Sequence, residues 1–156
     1  MYGYHGRVTI VDLTTLTVRH ESLGEDVLRQ FIGGIGLATY LLYRYCPTGV
    51  NPLSPGNPLI FATSPLAGSR LTTSGKFAVV AKSPLTGFIG DSLSSSYLST
   101  ELKRTGSDAL VVTGRAQRPT ILAVTEEQVE FLDATELMGL TTSATESAVK
   151  EQFDEM

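Results

Sequence analysis

From Ser74 to Gly106 the chain reads SGKFAVVAKSPLTGFIGDSLSSSYLSTELKRTG, and no other segment restricts the fold as tightly. Phe77 to Ala81 is a short apolar run that reads as a buried strand. Lys82-Ser83-Pro84-Leu85-Thr86-Gly87 follows as a defined turn, since Pro84 fixes φ and Gly87 admits a left-handed residue. A second short extended run leads into a serine-dense loop, Gly90 to Ser96, and a helix is expected from about Tyr97. A helix N-terminus has unpaired backbone N–H groups and a partial positive charge. Ser95 or Ser96 can cap it, and an anionic group such as a phosphate can dock there.

Composition narrows the classes of function. The chain has 156 residues, 42% of them hydrophobic, which suits one compact domain with a buried core. A formal charge of −4 gives no electrostatic footprint for nucleic acid, and no basic run suggests a membrane surface. Apolar stretches fall short of the roughly 20 residues needed to span a bilayer. The start, MYGYHGRVTIVDL, lacks the order of a signal peptide, so a cytoplasmic location is expected. The one cysteine, Cys46, allows no internal disulfide and cannot supply the four thiolates of an iron–sulfur cluster. Its place after an amphipathic helix suits a half-buried structural thiol. His5 and His20 lie in no metal-ligand spacing.

Along the chain, Arg7 to Leu13 and Leu16 to Glu21 read as a hairpin. Ser22-Leu23-Gly24-Glu25 reads as a capping box opening a short helix with Val27, Leu28 and Phe31 on one side, ended by Gly33-Gly34. Ala38, Leu41, Leu42 and Tyr45 mark a second helix. Pro47 to Pro58, with four of the seven prolines, is a loop. Leu59–Thr63, Ala109–Thr113, Thr120–Val124 and Val129–Leu132 are expected strands, with a charged turn at Glu126-Glu127-Gln128. A second capping box, Ser143 to Glu146, opens a last helix that runs to about Met156, with Ala144, Ala148 and Val149 facing inward. This order predicts an α+β fold with a mixed sheet, as a single domain over residues 1–156.

Several constellations invite a functional reading. Gly33-Gly34-Ile35-Gly36-Leu37-Ala38 resembles a dinucleotide loop, but it follows a helix rather than a strand. It reads as a tight helix-to-helix connection needing positive φ and close backbone approach. Lys76 and Lys82 flank a strand, where a lysine pairs with a phosphate or simply faces solvent. Glu101, Lys103 and Arg104 read as the solvated face of a helix. Asp91 and Asp108 are lone carboxylates with no partner in the sequence.

Taken together the residues match a family. Gly6-Arg7, Val11-Asp12-Leu13-Thr14, Phe31-Ile32-Gly33-Gly34 and Leu41-Leu42 open a collinear resemblance. Asn51 to Asn57 resembles a PLSPEN-type loop, Lys82 to Gly87 a KSPLTG turn, and Glu101-Leu102-Lys103 an ELK motif. Asp108 to Val112 and Gly114-Arg115-Ala116 continue it. The chain thus resembles the N-terminal domain of the tungsten-containing aldehyde:ferredoxin oxidoreductase family. The resemblance implies a sheet-rich base for a tungsten (or molybdenum) bis-pterin whose phosphates are bridged by magnesium. It implies oxidation of aldehydes to carboxylates, with electrons leaving through a [4Fe–4S] cluster to ferredoxin. The implied cofactor-binding residues are Lys76 and the run Ser92, Leu93, Ser94, Ser95 and Ser96.

The sequence also departs from the family pattern. Lys76 stands where an arginine is common, and Leu93 where an asparagine lends its backbone carbonyl to magnesium. Ser94-Ser95-Ser96 replaces Ser-Gly-Gly, which crowds the approach to a cofactor. Gly34-Ile35-Gly36 replaces Gly-Arg-Gly. The cluster cysteines, catalytic acids and substrate cavity are expected on the remainder of the enzyme or on a companion subunit, so this chain alone is expected to be inactive and to bind no cluster. Apolar surface left open by a truncated domain favours a homodimer. The alternative is a non-catalytic scaffold that kept the fold and lost the cofactor site.

Overall fold

The structure, a computed structural model, describes residues 2–154. The expected end of the last helix near Met156 lies outside them. The strand β1 (Arg7–Asp12) is buried at four consecutive positions, Val8 to Val11, because both faces of the sheet are covered there. It pairs antiparallel with β2 (Thr17–Ser22) through the expected hairpin, and parallel with β6 (Ala109–Thr113). β3 (Leu59–Thr63) lies antiparallel to β6 and to β4 (Lys76–Lys82), and β4 is antiparallel to β5 (Ile89–Ser95). The sheet order is β2-β1-β6-β3-β4-β5. One parallel pair among antiparallel ones makes it mixed, and with its helices the fold is α+β.

Alternation assigns the two faces. Val8, Ile10, Ile60, Ala62, Ala78, Val80, Ala109 and Val111 point to one face, under α1 (Glu25–Phe31) and α2 (Gly34–Tyr45). Leu28, Leu37, Leu41 and Leu42 meet them there, at 3% exposed or less except Leu42 at 8%. The other face buries Val11 and Leu110 against Leu102 of α3 (Tyr97–Arg104). Beside α3 lies the hairpin of β7 (Thr120–Val124) and β8 (Val129–Asp133), which adds Leu122, Val124, Val129 and Phe131. A short 3-10 turn (Thr135–Leu137) and α4 (Thr142–Asp154) follow.

Several local expectations are corrected. The serine-dense stretch is a strand, not a loop, because pairing of β5 with β4 along the whole of Lys76–Lys82 overrides its low strand propensity. Ser22 does not cap α1: Arg7 pairs with Ser22 and keeps it in β2, so the helix begins one residue after Gly24 without a side-chain cap. α1 ends not at the glycines but at Ile32, whose φ of 61° and ψ of −70° close a γ-turn from Gly33 N–H to Phe31 O. Gly34 already belongs to α2. At the C-terminal end the helix starts at Thr142, Thr141 Oγ1 accepts from the Ala144 N–H, and of the three residues expected to face inward Ala144 is exposed while Ala148 and Val149 are half-buried.

The Gly33–Ala38 stretch is the expected tight connection. Gly34 sits at φ +54°, and a Cβ on Gly33 would lie 2.7 Å from the Thr63 carbonyl oxygen. On Gly36 a Cβ would strike the Phe31 carbonyl oxygen. The glycines bring α2 down onto the end of β3.

Candidate functional site

The antiparallel register gathers one set of chain segments at a single end of the sheet. β1 and β6 begin there, β3 ends there, β4 begins there and β5 ends there. Thus Lys76 is the cross-strand partner of Ser95. Directly opposite residues in an antiparallel pair share a face, so Lys76, Ser95 and Leu93 look to the α1–α2 side. Ser92 and Ser94 look to the α3 side, opposite Val79 and Phe77. The five residues from Ser92 to Ser96 therefore do not converge on one spot, as a loop would allow. All five are exposed, as is Lys76.

Ser96 settles the capping question. It is the N-cap of α3, and its Oγ accepts from the Leu98 N–H at 3.1 Å. Its backbone, at φ −162° and ψ 176°, is ordinary extended chain that any residue adopts. The Ser96 N–H donates to the Gly75 carbonyl, which holds the helix start beside Lys76. A second tie comes from Ser99, fully buried, whose Oγ donates to the Lys76 carbonyl at 2.9 Å.

Beneath this end lies a buried ion pair that reasoning from sequence missed. Lys103, read as part of the solvated face of α3, is 8% exposed, and Asp108, read as a lone carboxylate, is 1% exposed. Lys103 Nζ donates to Asp108 Oδ1 at 2.5 Å. The same carboxylate accepts from the backbone N–H groups of His5 and Gly6, the latter at 2.7 Å. The Lys103 ammonium also sits 5.5 Å from the centre of the Tyr4 ring. Burial first, and the Asp108 charge second, push the Tyr4 phenol above its ordinary value. A signal was present in the sequence: Ser99, Leu102 and Lys103 share the i, i+3, i+4 spacing of a buried helical stripe. Glu101 and Arg104 do form the solvated face, paired at 2.8 Å.

Other candidates lie elsewhere. Lys82 and the KSPLTG turn are at the opposite end of the sheet, a seven-residue strand away from the Lys76 end. The Lys82 ammonium is committed to the Val50 carbonyl at 2.7 Å. Asp91 is exposed opposite Val80. Cys46 is half-buried and free. Among the described residues, no three His, Cys, Asp or Glu side chains cluster to hold a metal, and no helix is long and apolar enough to cross a membrane.

Residues 8–156 match the family model described as aldehyde ferredoxin oxidoreductase, N-terminal domain. The tungsten-containing aldehyde ferredoxin oxidoreductase of Pyrococcus abyssi is 40% identical over 152 residues, 97% of this chain and 25% of that protein. Its counterpart in Thermococcus kodakarensis is 41% identical over 153 residues, 98% of this chain and 25% of that protein. An aliphatic sulfonate oxidoreductase, WOR-like subunit, of Pyrococcus furiosus is 38% identical over 143 residues, 90% of this chain and 23% of that one. Among solved structures, the active site complex BamBC of benzoyl coenzyme A reductase with 1,5-dienoyl-CoA superposes with a TM-score of 0.93. That match has 29% identity and covers 99% of this chain and 24% of the other. The chain spans about a quarter of the length of the curated relatives it matches.

Proposed function

The chain belongs to the aldehyde ferredoxin oxidoreductase family through its N-terminal domain, and on that premise we propose that it forms the cofactor-cradling part of a tungsten (or molybdenum) bis-pterin oxidoreductase. Residues 1–156 act as one domain, most of such a cradle. A companion chain or the remaining three-quarters of the enzyme supplies the cluster, the substrate cavity and the route to ferredoxin. The juxtaposition of Lys76 with Ser95, beside the Ser96-capped start of α3, is the observation that carries the reading.

The residues present fit a phosphate-bearing group. Lys76 presents an exposed ammonium at the end of the sheet where α3 starts, and α3 adds the partial positive charge of its N-terminus. Serines in place of glycines cost no backbone strain at Ser96, where φ is −162°, and its hydroxyl is folded back onto Leu98. Lys76 would hold a pterin phosphate. Ser95 would hydrogen-bond on the same face and Leu93 would offer its carbonyl to magnesium, while Ser92 and Ser94, on the α3 face, would be turned away from that group. When bound, the cofactor supplies the redox chemistry that converts an aldehyde to a carboxylate. This chain's part is to bind, orient and neutralise charge.

The test is metal and pterin analysis after co-expression with a companion chain carrying the missing half. Tungsten or molybdenum with pterin in the complex is expected, and its loss in Lys76→Ala. A well-folded complex without metal or pterin would sink the proposal in favour of a scaffold that kept the fold, the reading favoured by the exposed Leu93 on the Lys76 face. The purified chain alone is expected not to reduce a viologen acceptor with aldehyde.

A further inference from the structure

We infer that Lys103, Asp108 and Ser99 are positioning residues for the Lys76 end of the sheet, clamping α3 at both of its ends; this rests on the cofactor-cradle reading above. α3 has only eight residues and buries little apolar surface, chiefly Leu102. Apolar packing alone therefore leaves its angle on the sheet weakly fixed. Two side-chain ties from the helix itself add to the backbone bond at Ser96 to set it. In the first turn, Ser99 Oγ donates to the carbonyl of Lys76 itself, at 2.9 Å. In the last turn, Lys103 Nζ reaches Asp108 Oδ1 at 2.5 Å.

Asp108 is in turn the best-anchored residue of that sheet end. Its N–H donates to Arg7 O, and its carbonyl accepts from both the N–H and the hydroxyl of Thr63. Its carboxylate holds His5 and Gly6. One buried residue, through its side chain and its backbone together, thus joins the lead into β1, the end of β3, the start of β6 and the last turn of α3. Gly106, just past the helix, takes φ +75°, which L side chains rarely adopt, and a Cβ there would have to displace the Arg7 guanidinium, 2.7 Å away. Turning α3 about its axis or lifting its end would break these ties, and would carry Ser96 and the backbone of Lys76 with it. A buried charge pair tolerates no such drift, because each ion left alone is heavily penalised. The device converts a short, lightly packed helix into a fixed platform.

The experiment uses the whole chain, isotope-labelled, with inorganic pyrophosphate as the probe. Amide hydrogen exchange from Leu98 to Leu102 and pyrophosphate-induced shifts at Lys76 and Ser95 to Leu98 are read in wild type, Ser99→Ala and Lys103→Met. Ser99→Ala leaves no buried charge and keeps the measurement available should Lys103→Met fail to fold. A core truncation in α1, whose hydrophobic cluster includes no residue of α3, Leu28→Ala, serves as the control for destabilisation alone. Exchange at α3 amides at least tenfold faster in Ser99→Ala, with pyrophosphate affinity lowered at least threefold, is the expected result. Leu28→Ala is expected to change that affinity less than twofold. Unchanged α3 exchange in a folded Ser99→Ala variant, or an equal loss of affinity in Leu28→Ala, overturns the clamp. Wild type without any pyrophosphate response overturns the phosphate site instead, and the exchange data still decide the clamp.

Discussion

A carboxylate at 1% exposure persists only where its charge is met, and Asp108 is met by one ammonium and two backbone N–H groups. Lys103→Met removes the ammonium and strands the carboxylate, so denaturant unfolding is expected to show a loss of about 3–5 kcal/mol. Replacing both partners, Lys103→Met with Asp108→Leu, is not expected to restore stability, because the N–H groups of His5 and Gly6 lose their acceptor. Full recovery in the double variant would show that the backbone bonds contribute little. Tyr4 offers an independent reading of the same cluster. Its phenol is raised above 10.0 by burial and by Asp108, so the folded state favours the neutral form. The stability it contributes is complete below the unfolded value of about 10 and is lost as pH climbs through the folded value. Alkaline absorbance titration should show one late-ionising phenol that disappears in Tyr4→Phe; an unchanged titration would place that phenol elsewhere. Lys103 was legible only as part of a helical stripe with Ser99 and Leu102, and Asp108 did not stand out, since its backbone donors His5 and Gly6 lie 103 and 102 positions away.

The elements themselves were mostly legible. β1, β3, β4 and β6 were written in short apolar runs, α2 in its spaced leucines, and the Lys82–Gly87 turn in its proline and glycine. What failed was local chemistry overruled by pairing. Ser22 has the residue pattern of a cap, yet ladder pairing with Arg7 holds it in a strand. The serines of β5 read as a loop because nothing in their own chemistry favours a strand; only β4 alongside makes them one. That difference reaches the site, because a strand splits Ser92 and Ser94 from Leu93 and Ser95 where a loop could have gathered them. At the helix start the sequence left Ser95 and Ser96 equivalent, and the structure distinguishes them. Ser96→Ala is expected to cost about 1 kcal/mol of stability through the lost bond to Leu98 N–H, and Ser95→Ala markedly less. Equal effects from the two substitutions in thermal or urea unfolding would contradict the assigned cap.

At the scale of the whole molecule, surface area says more than any motif. A compact monomer of 16.7 kDa should expose about 7,600 Å², whereas this chain exposes 9764 Å². The difference, roughly 2,000 Å², is as large as a stable protein–protein interface. Part of it is apolar and lies along one rim, from Leu85 at 92% and Phe88 at 78% exposed to Leu93 at 58% and Tyr97 at 88%. The same rim is the free edge of β5, seven residues with Asp91 as their one charge. An edge so long and so weakly charged invites pairing with another strand. In solution the isolated chain is therefore expected to self-associate through this rim, with light scattering reporting a mass at least twice 16.7 kDa. Leu93→Lys places a charge on the edge and is expected to shift the chain towards monomer without loss of fold, since Leu93 is already exposed. Capture of a true companion chain should have the same effect on self-association, because both partners would compete for one edge. A clean monomer at high concentration in wild type would mean that the extra area lies in separate small patches, each too poor to bind, and that the β5 edge is protected by its own twist and serines.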